Sequence, residues 1–334
     1  MAHEIRKHDK VLSVRQPMWH GLEDLLSEAP SREEAEKLVH NFSVIREDIY
    51  RQVAYFDEVE MQYKTRYELI PEEQINVRSD TDMVLSSVPR TRVDIQPQEL
   101  WDIAEEIMQQ DSNIVIETAG SLRDGRDIWI LLKLDEELTI KGDPHGNSFA
   151  YNALQNSYVP GKAARFQPTN VRVQCANTSS MADMAADQQG VNVSLAHTLN
   201  LRERIEEIRD FLSTWRIGID VWRDAKEFMA SVPVRTDQVN WFIEQYINAP
   251  TEQLTSDRVK DNIEIARMEL LTEYFADYNN GVRGTALGLF EAASSWTGHV
   301  RAAQTPLTRF KRAMLTPDTI LADARELALD AANV

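Results

Sequence analysis

The apolar positions change period along the chain. Up to about residue 180 they alternate or gather in short runs, and beyond Leu199 they recur every three to four residues. In the first part, Ser31-Arg-Glu-Glu34 is a capping box that predicts a short helix through Ala35, Leu38 and Val39. Val44 to Ile70 alternates aromatics with charges and reads as strand. Asn76 to Asp80 followed by Met83, Val84, Leu85 and Val88 reads as a hairpin turning at Asp80-Thr-Asp82. Pro97 opens an amphipathic helix over Gln98 to Gln110. The sharpest strand signal follows: Ile114 to Ile116 and Ile128 to Leu132, joined across Arg123-Asp-Gly-Arg126, where Asp-Gly marks a turn.

Gly142 to Gly146 reads as a loop, Phe149 to Leu154 as a strand or a short helix, and Pro160-Gly161 as a turn. Val171 to Cys175 alternates as a short strand. Asn177 to Ser180 then looks like the cap of a helix through Met181, Met184 and Ala185. In the second part, Leu201, Ile205, Ile208, Leu212 and Trp215 form one helical stripe, and further helices are expected after Pro233, Thr255, Gly284, Thr305 and Pro317. The expected class is α+β: a strand-rich central antiparallel sheet followed by a helical C-terminal half. The expected divisions are 1–40 as an irregular arm and short helix, 41–198 as the strand-rich core, and 199–334 as the helical region.

Composition narrows the possibilities. With 43% apolar residues the 334-residue chain can bury a sizeable core. No run of eighteen apolar residues exists and Met1 to Lys10 has no apolar stretch, so neither a membrane span nor a secretory leader is expected, and the expected location is the cytoplasm of a bacterial host. One cysteine, Cys175, excludes an internal disulfide framework. On its predicted half-buried strand it reads as a small core residue. Seven scattered histidines include no pair four apart, and no nucleotide-loop or hydrolase motif is present. No cofactor, metal or catalytic residue is therefore assigned, and a spatially assembled site around His20, His145 and His197 stays open as an alternative.

The net charge of −18 argues against a general nucleic-acid coat until its distribution is read. From Pro144 to Ala182 there is no Asp or Glu, while Lys162, Arg165 and Arg172 are present. From Asn279 to Pro317 a single acid, Glu291, faces five cations. Either these segments are buried and exclude acids for that reason, or they present positive surface to phosphates. The stretch Tyr158 to Thr178 interleaves Lys162, Arg165 and Arg172 with Tyr158 and Phe166, the mixture a single-stranded nucleic-acid groove uses for phosphate contact and base stacking. Gly120 to Arg126 adds two glycines and two arginines, Arg123 and Arg126, at a hairpin tip, which is either a phosphate approach or a solvated turn.

Five segments carry a resemblance: Trp19-His20-Gly-Leu, the Arg78-Ser-Asp80 strand, Glu117 to Arg126 with Gly120, Pro168 to Thr178 with Asn177 and Thr178, and His197-Thr198. In that order, over about Trp19 to His299, they resemble the phage- and plasmid-like family called domain of unknown function 932. The resemblance implies a bacteriophage or plasmid setting and brings no settled activity. Members of that family tend to show a His-Asp-Gly-Ser run where this chain has Tyr158-Val-Pro-Gly161, a replacement that suits a binding surface better than an acid/base pair. The expectation is a protein of DNA metabolism that binds or anneals single-stranded DNA, by analogy of setting with phage recombination proteins. In it Arg123, Arg126, Lys162, Arg165 and Arg172 contact phosphates, Tyr158 or Phe166 stacks, and the chain forms a homo-oligomer. An enzyme with a histidine/carboxylate site and a non-catalytic assembly protein are the alternatives.

Overall fold

A computed structural model of the chain describes residues 6–15, 23–172, 177–180, 193–198, 215–248, 257–301 and 319–334. The Ser31 hydroxyl accepts from the Glu34 amide at 3.3 Å and the Glu34 carboxylate accepts from the Ser31 amide at 3.0 Å, so the predicted capping box starts α1 (Arg32–Val39). Pro97 sits in the first turn of α2 (Pro97–Gln110), whose buried side chains Leu100, Trp101, Ile103, Ala104 and Ile107 form the predicted stripe.

Among the described residues, eight strands form the main sheet. These are β1 (Val11–Val14), β2 (Asp24–Leu26), β6 (Ile114–Leu122), β7 (Asp127–Ile140), β8 (Asp143–Ser157), β9 (Ala164–Arg172), β10 (Asn177–Ser180) and β11 (Val193–Leu195). They run in the order β10-β9-β8-β7-β6-β1-β2, with β11 also pairing with β9. Every pairing is antiparallel except β1 with β2, which makes the sheet mixed rather than wholly antiparallel.

Register explains what the sheet buries. Ile128, Ile130 and Leu132 on β7 lie beside Asn156, Leu154 and Asn152 on β8, and Leu154 lies beside Phe166 on β9. That face carries the main core together with side chains of α1 and α2. Leu131, Tyr151 and Ala153, one residue out of phase, form a smaller buried cluster on the opposite face. The central strands are thus buried on both sides.

Three sequence expectations are corrected here. The arm before residue 31 is not wholly irregular: Val11–Val14 is a buried strand, a four-residue Val-Leu-Ser-Val segment too short to show alternation. The Gly142–Gly146 segment is the tight β7–β8 turn and the start of β8, with Gly142 at φ 90°. Asn177–Ser180 is a strand paired with Thr169–Arg172, not a helix cap, because β9 offers it an open edge.

A second sheet, β3-β4-β5, is formed by β3 (Val44–Asp57), β4 (Gln62–Arg78) and β5 (Met83–Pro89). Its turn lies at the predicted Asp80–Asp82, with Asp82 at φ 54°. β5 pairs only with residues 73–78 of β4. Beyond a register shift after Asp48, Tyr50–Asp57 and Gln62–Leu69 continue as a two-stranded ribbon.

The C-terminal helices are α3 (Trp215–Ser231), α4 (Thr236–Tyr246), α5 (Asp257–Phe275), α6 (Ala286–Ser295) and α7 (Thr319–Ala331). Four of these follow the predicted Pro233, Thr255, Gly284 and Pro317. The stripe at Leu201–Leu212 and the helix after Thr305 lie outside the described residues. α6 is buried along its whole length, and Glu291 on it pairs at 2.5 Å with Lys226 of α3, whose ammonium stands 4.7 Å from the centre of the Trp222 ring. One apolar cluster runs continuously from Leu12 to Ala331. No helix among the described residues is long and apolar enough to cross a membrane.

Candidate functional site

Two turns remote in sequence meet at one end of the main sheet. The β6–β7 turn, Arg123 to Arg126, lies against the β8–β9 turn, Tyr158 to Ala163, and the Tyr158 amide donates to the Arg126 carbonyl at 2.9 Å. Asp127, the first residue of β7, joins them. Its carboxylate accepts from Arg123 Nε at 2.9 Å, from the Ser157 hydroxyl at 2.8 Å and from Lys162 Nζ at 3.1 Å. Burial pushes that carboxyl up, but the charges of Arg123 and Lys162 and the Ser157 hydroxyl outweigh it and hold Asp127 below the ordinary carboxylate range. It stays ionised and serves as a strut.

The hairpin tip is strained and clasped from outside. Arg123, Asp124 and Gly125 have φ of 57°, 64° and 92°, a left-handed run that costs about 1 kcal/mol or more at each of the two non-glycine positions. Successive amides in such a turn make an anion-binding nest. Asp9 already fills it, accepting from the Asp124 and Gly125 amides at 2.9 Å each and from the Ser121 hydroxyl at 2.9 Å. The expected backbone approach to phosphate at this tip is therefore corrected: its amides serve an internal carboxylate. The neighbouring Gly120 has a packing role. A Cβ there would lie 2.8 Å from both the Lys10 carbonyl oxygen and the Trp129 ring. The Gly120 carbonyl also receives the Nε2 proton of His40, whose Nδ1 accepts from Trp101 at 3.1 Å.

A second buried carboxylate holds the site's other wall. Asp94 accepts from Arg92 Nε at 2.6 Å, from Arg46 at 2.7 Å and from Asn76 at 3.0 Å. Burial again works upward, and Arg92 and Arg46 win, lowering its pKa. Arg92 also donates to the Ser157 carbonyl at 2.6 Å, linking this network to the β8–β9 turn. His197 donates from Nδ1 to the Val93 carbonyl at 2.9 Å. Burial first and Arg92 second lower its pKa, so the ring is neutral, and Nε2 is buried without a hydrogen-bond partner. With Asp94 engaged by two arginines, His197 has no free carboxylate beside it among the described residues for acid/base work. Its bond pins the 193–198 segment to Val93.

Two clefts flank the Gly161–Ala163 turn. One, of about 270 Å³, is lined by Asp127, Trp129, Gln155, Lys162 and Arg165. The other, of about 350 Å³, is lined by Thr91, Arg92, Lys162, His197 and Thr198. Lys162 borders both. Arg165 is exposed, and among the described residues its guanidinium makes no side-chain hydrogen bond or ion pair. Arg126 is half-buried and reaches the Val84 carbonyl at 3.5 Å.

The structure therefore brings together four of the expected phosphate contacts, Arg123, Arg126, Lys162 and Arg165. It corrects the two stacking assignments. Tyr158 is fully buried with its hydroxyl donating to the Ile95 carbonyl at 3.0 Å, and burial pushes its phenol up. Phe166 is in the main core. Arg172, Asn177 and Thr178 are placed by backbone pairing alone, at the β9–β10 edge. Trp19, His20 and Cys175 lie outside the described residues, as do Arg309, Lys311 and Arg312 of the second cationic zone. In that zone Arg283 caps the Phe275 carbonyl at 2.7 Å and stacks on the Phe275 ring, and Arg301 lies over Trp296. The sequence reading missed Asp9, Arg92, Asp94 and Asp127. Only Asp127 carried a local signal, four residues after Arg123.

A protein family described as a domain of unknown function (DUF932) matches residues 84–318. The match spans more than half of the chain, which belongs to that family. No curated protein and no solved structure matches it.

Proposed function

We propose that this member of the domain of unknown function 932 family binds single-stranded DNA through its phosphates, at the end of the sheet where the β6–β7 and β8–β9 turns meet. The setting we propose is phage or plasmid DNA metabolism in the cytoplasm of a bacterial host, with annealing of complementary strands as the activity. The observation that carries this reading is the gathering of Arg123, Arg126, Lys162 and Arg165 around Asp127 in a chain whose net charge is −18. Asp127 sets one negative charge against these four cations and holds Arg123 and Lys162 in place, while Arg165 and Arg126 have no carboxylate partner among the described residues. Without an accessible Tyr158 or Phe166, recognition rests on charge and is indifferent to base sequence.

Fluorescence anisotropy with a labelled oligonucleotide tests this. Four phosphate contacts to a single strand give a slope of log K against log salt of about −3, so affinity falls about fifty-fold between 50 and 200 mM salt. Arg165→Ala flattens the slope by about 0.7 and weakens all sequences alike. Salt-insensitive binding, or none at low ionic strength, would refute the proposal.

A further inference from the structure

The β3–β4 ribbon is built unlike the rest of the chain. Not one residue from Ile45 to Ile75 is buried. Antiparallel register sorts its side chains onto two faces of opposite character. Tyr50, Gln52, Ala54 and Phe56 lie opposite Leu69, Tyr67, Thr65 and Tyr63, so this face carries no charge at all. The other face holds Arg51, Lys64 and Arg66, each paired with a carboxylate: Arg51 and Arg66 with Glu68 at 2.7 and 2.6 Å, Lys64 with Asp57 at 2.7 Å.

On the uncharged face Tyr63 is 80% exposed, Tyr67 71% and Tyr50 56%, and Phe56 packs edge-on against Tyr63 with centroids 5.2 Å apart. An isolated two-stranded ribbon is marginal in water. The exposed part of its aromatic face with Leu69 amounts to on the order of 700 Å², before Met61 and Val59 at the tip are counted. The largest apolar patch on an ordinary monomer is about 300–600 Å², and a stable interface takes about 800 Å² from each partner.

We infer that the uncharged face of this ribbon is a homodimer interface, closed by the same face of a second copy of the chain. Three features select that occupant. The area matches what each half of a two-fold interface supplies, and one patch meeting itself satisfies isologous symmetry. An uncharged face lets two strongly acidic chains meet without like-charge contact across the seam. A nucleic-acid ligand would need cations on that face, and every cation of the ribbon lies on the other face in an ion pair. The inference does not depend on the DNA-binding proposal.

Light scattering coupled to size-exclusion chromatography of the full chain decides it, at low micromolar concentration and with the Tyr63→Glu/Tyr67→Glu double variant alongside. Wild type is expected at twice the 38.3 kDa chain mass and the variant at the single-chain mass. Circular dichroism is expected to coincide, because both side chains are solvent-exposed. A monomeric wild type overturns the inference. So does an assembly whose mass the double variant leaves unchanged. A double variant that changes oligonucleotide binding without changing mass also overturns it and marks the face as a nucleic-acid platform.

Discussion

The turn cluster and the ribbon are both hairpin ends, and they are stabilised in opposite ways. At the turn cluster a left-handed tip survives because Asp9, a residue from the N-terminal arm, fills its amides, and two carboxylates, Asp94 buried and Asp127 half-buried, each hold a pair of cations. In the ribbon, among the described residues, no hydrogen bond or ion pair reaches Tyr50–Asp57 or Gln62–Leu69 from outside their own hairpin, and no side chain from Ile45 to Ile75 is buried. The difference separates two kinds of surface. A rigid, internally braced turn suits the placing of charges on a ligand, whereas an unsupported apolar ribbon suits completion by another chain.

Acid breaks the braced region most strongly. Burial, with a smaller push from Arg78, lowers the His40 pKa to about 4 while it bridges Trp101 and Gly120. A base whose pKa is depressed by folding contributes stability that is complete above its unfolded value of about 6.5 and is lost as pH falls toward 4. Urea midpoints between pH 7 and pH 4 should therefore report a loss of about 3 kcal/mol. A His40→Gln protein, less stable at pH 7, should show a flatter profile.

Next in size, Asp9→Ala leaves the Asp124 and Gly125 amides without a partner and should cost about 2 kcal/mol in equilibrium unfolding at pH 7. An unchanged midpoint would mean the turn holds its left-handed run unaided. The smallest effect belongs to the ribbon. Tyr67→Ala should change monomer stability by less than about 0.5 kcal/mol, since the ring is mostly in solvent. A larger loss, measured below the dimerisation range, would show that the ribbon is supported within one chain.

The apolar strand runs at Ile114–Ile116 and Ile128–Leu132, the Asp-Gly turn, the α1 capping box and the helix opened by Pro97 were legible because each rests on local chemistry. Tyr158 was misread because its hydroxyl finds a partner in the remote Ile95 carbonyl, and Phe166 for a reason contained in strand geometry. Arg165 and Phe166 are consecutive in β9, so their side chains leave on opposite faces, and an interleaved aromatic-cation run in a strand cannot present both to one ligand. Within the acid-free stretch after Pro144, burial accounts for part of residues 150–166: Ala150, Leu154, Tyr158, Ala164 and Phe166 are core residues. What the sequence could not show is long-range closure. Asp9 meets Gly125 from 116 positions away and Asp94 meets Arg46 from 48, with no periodicity linking them.

The separation of roles between the two hairpins is tested most directly by anisotropy of a labelled ten-nucleotide strand titrated with three proteins. Wild type and Tyr63→Glu/Tyr67→Glu should bind with the same affinity and salt slope. Lys162→Ala/Arg165→Ala should bind at least ten-fold more weakly with a slope about 1.4 smaller in magnitude. Equal binding by all three, or a loss confined to the ribbon variant, would contradict the account.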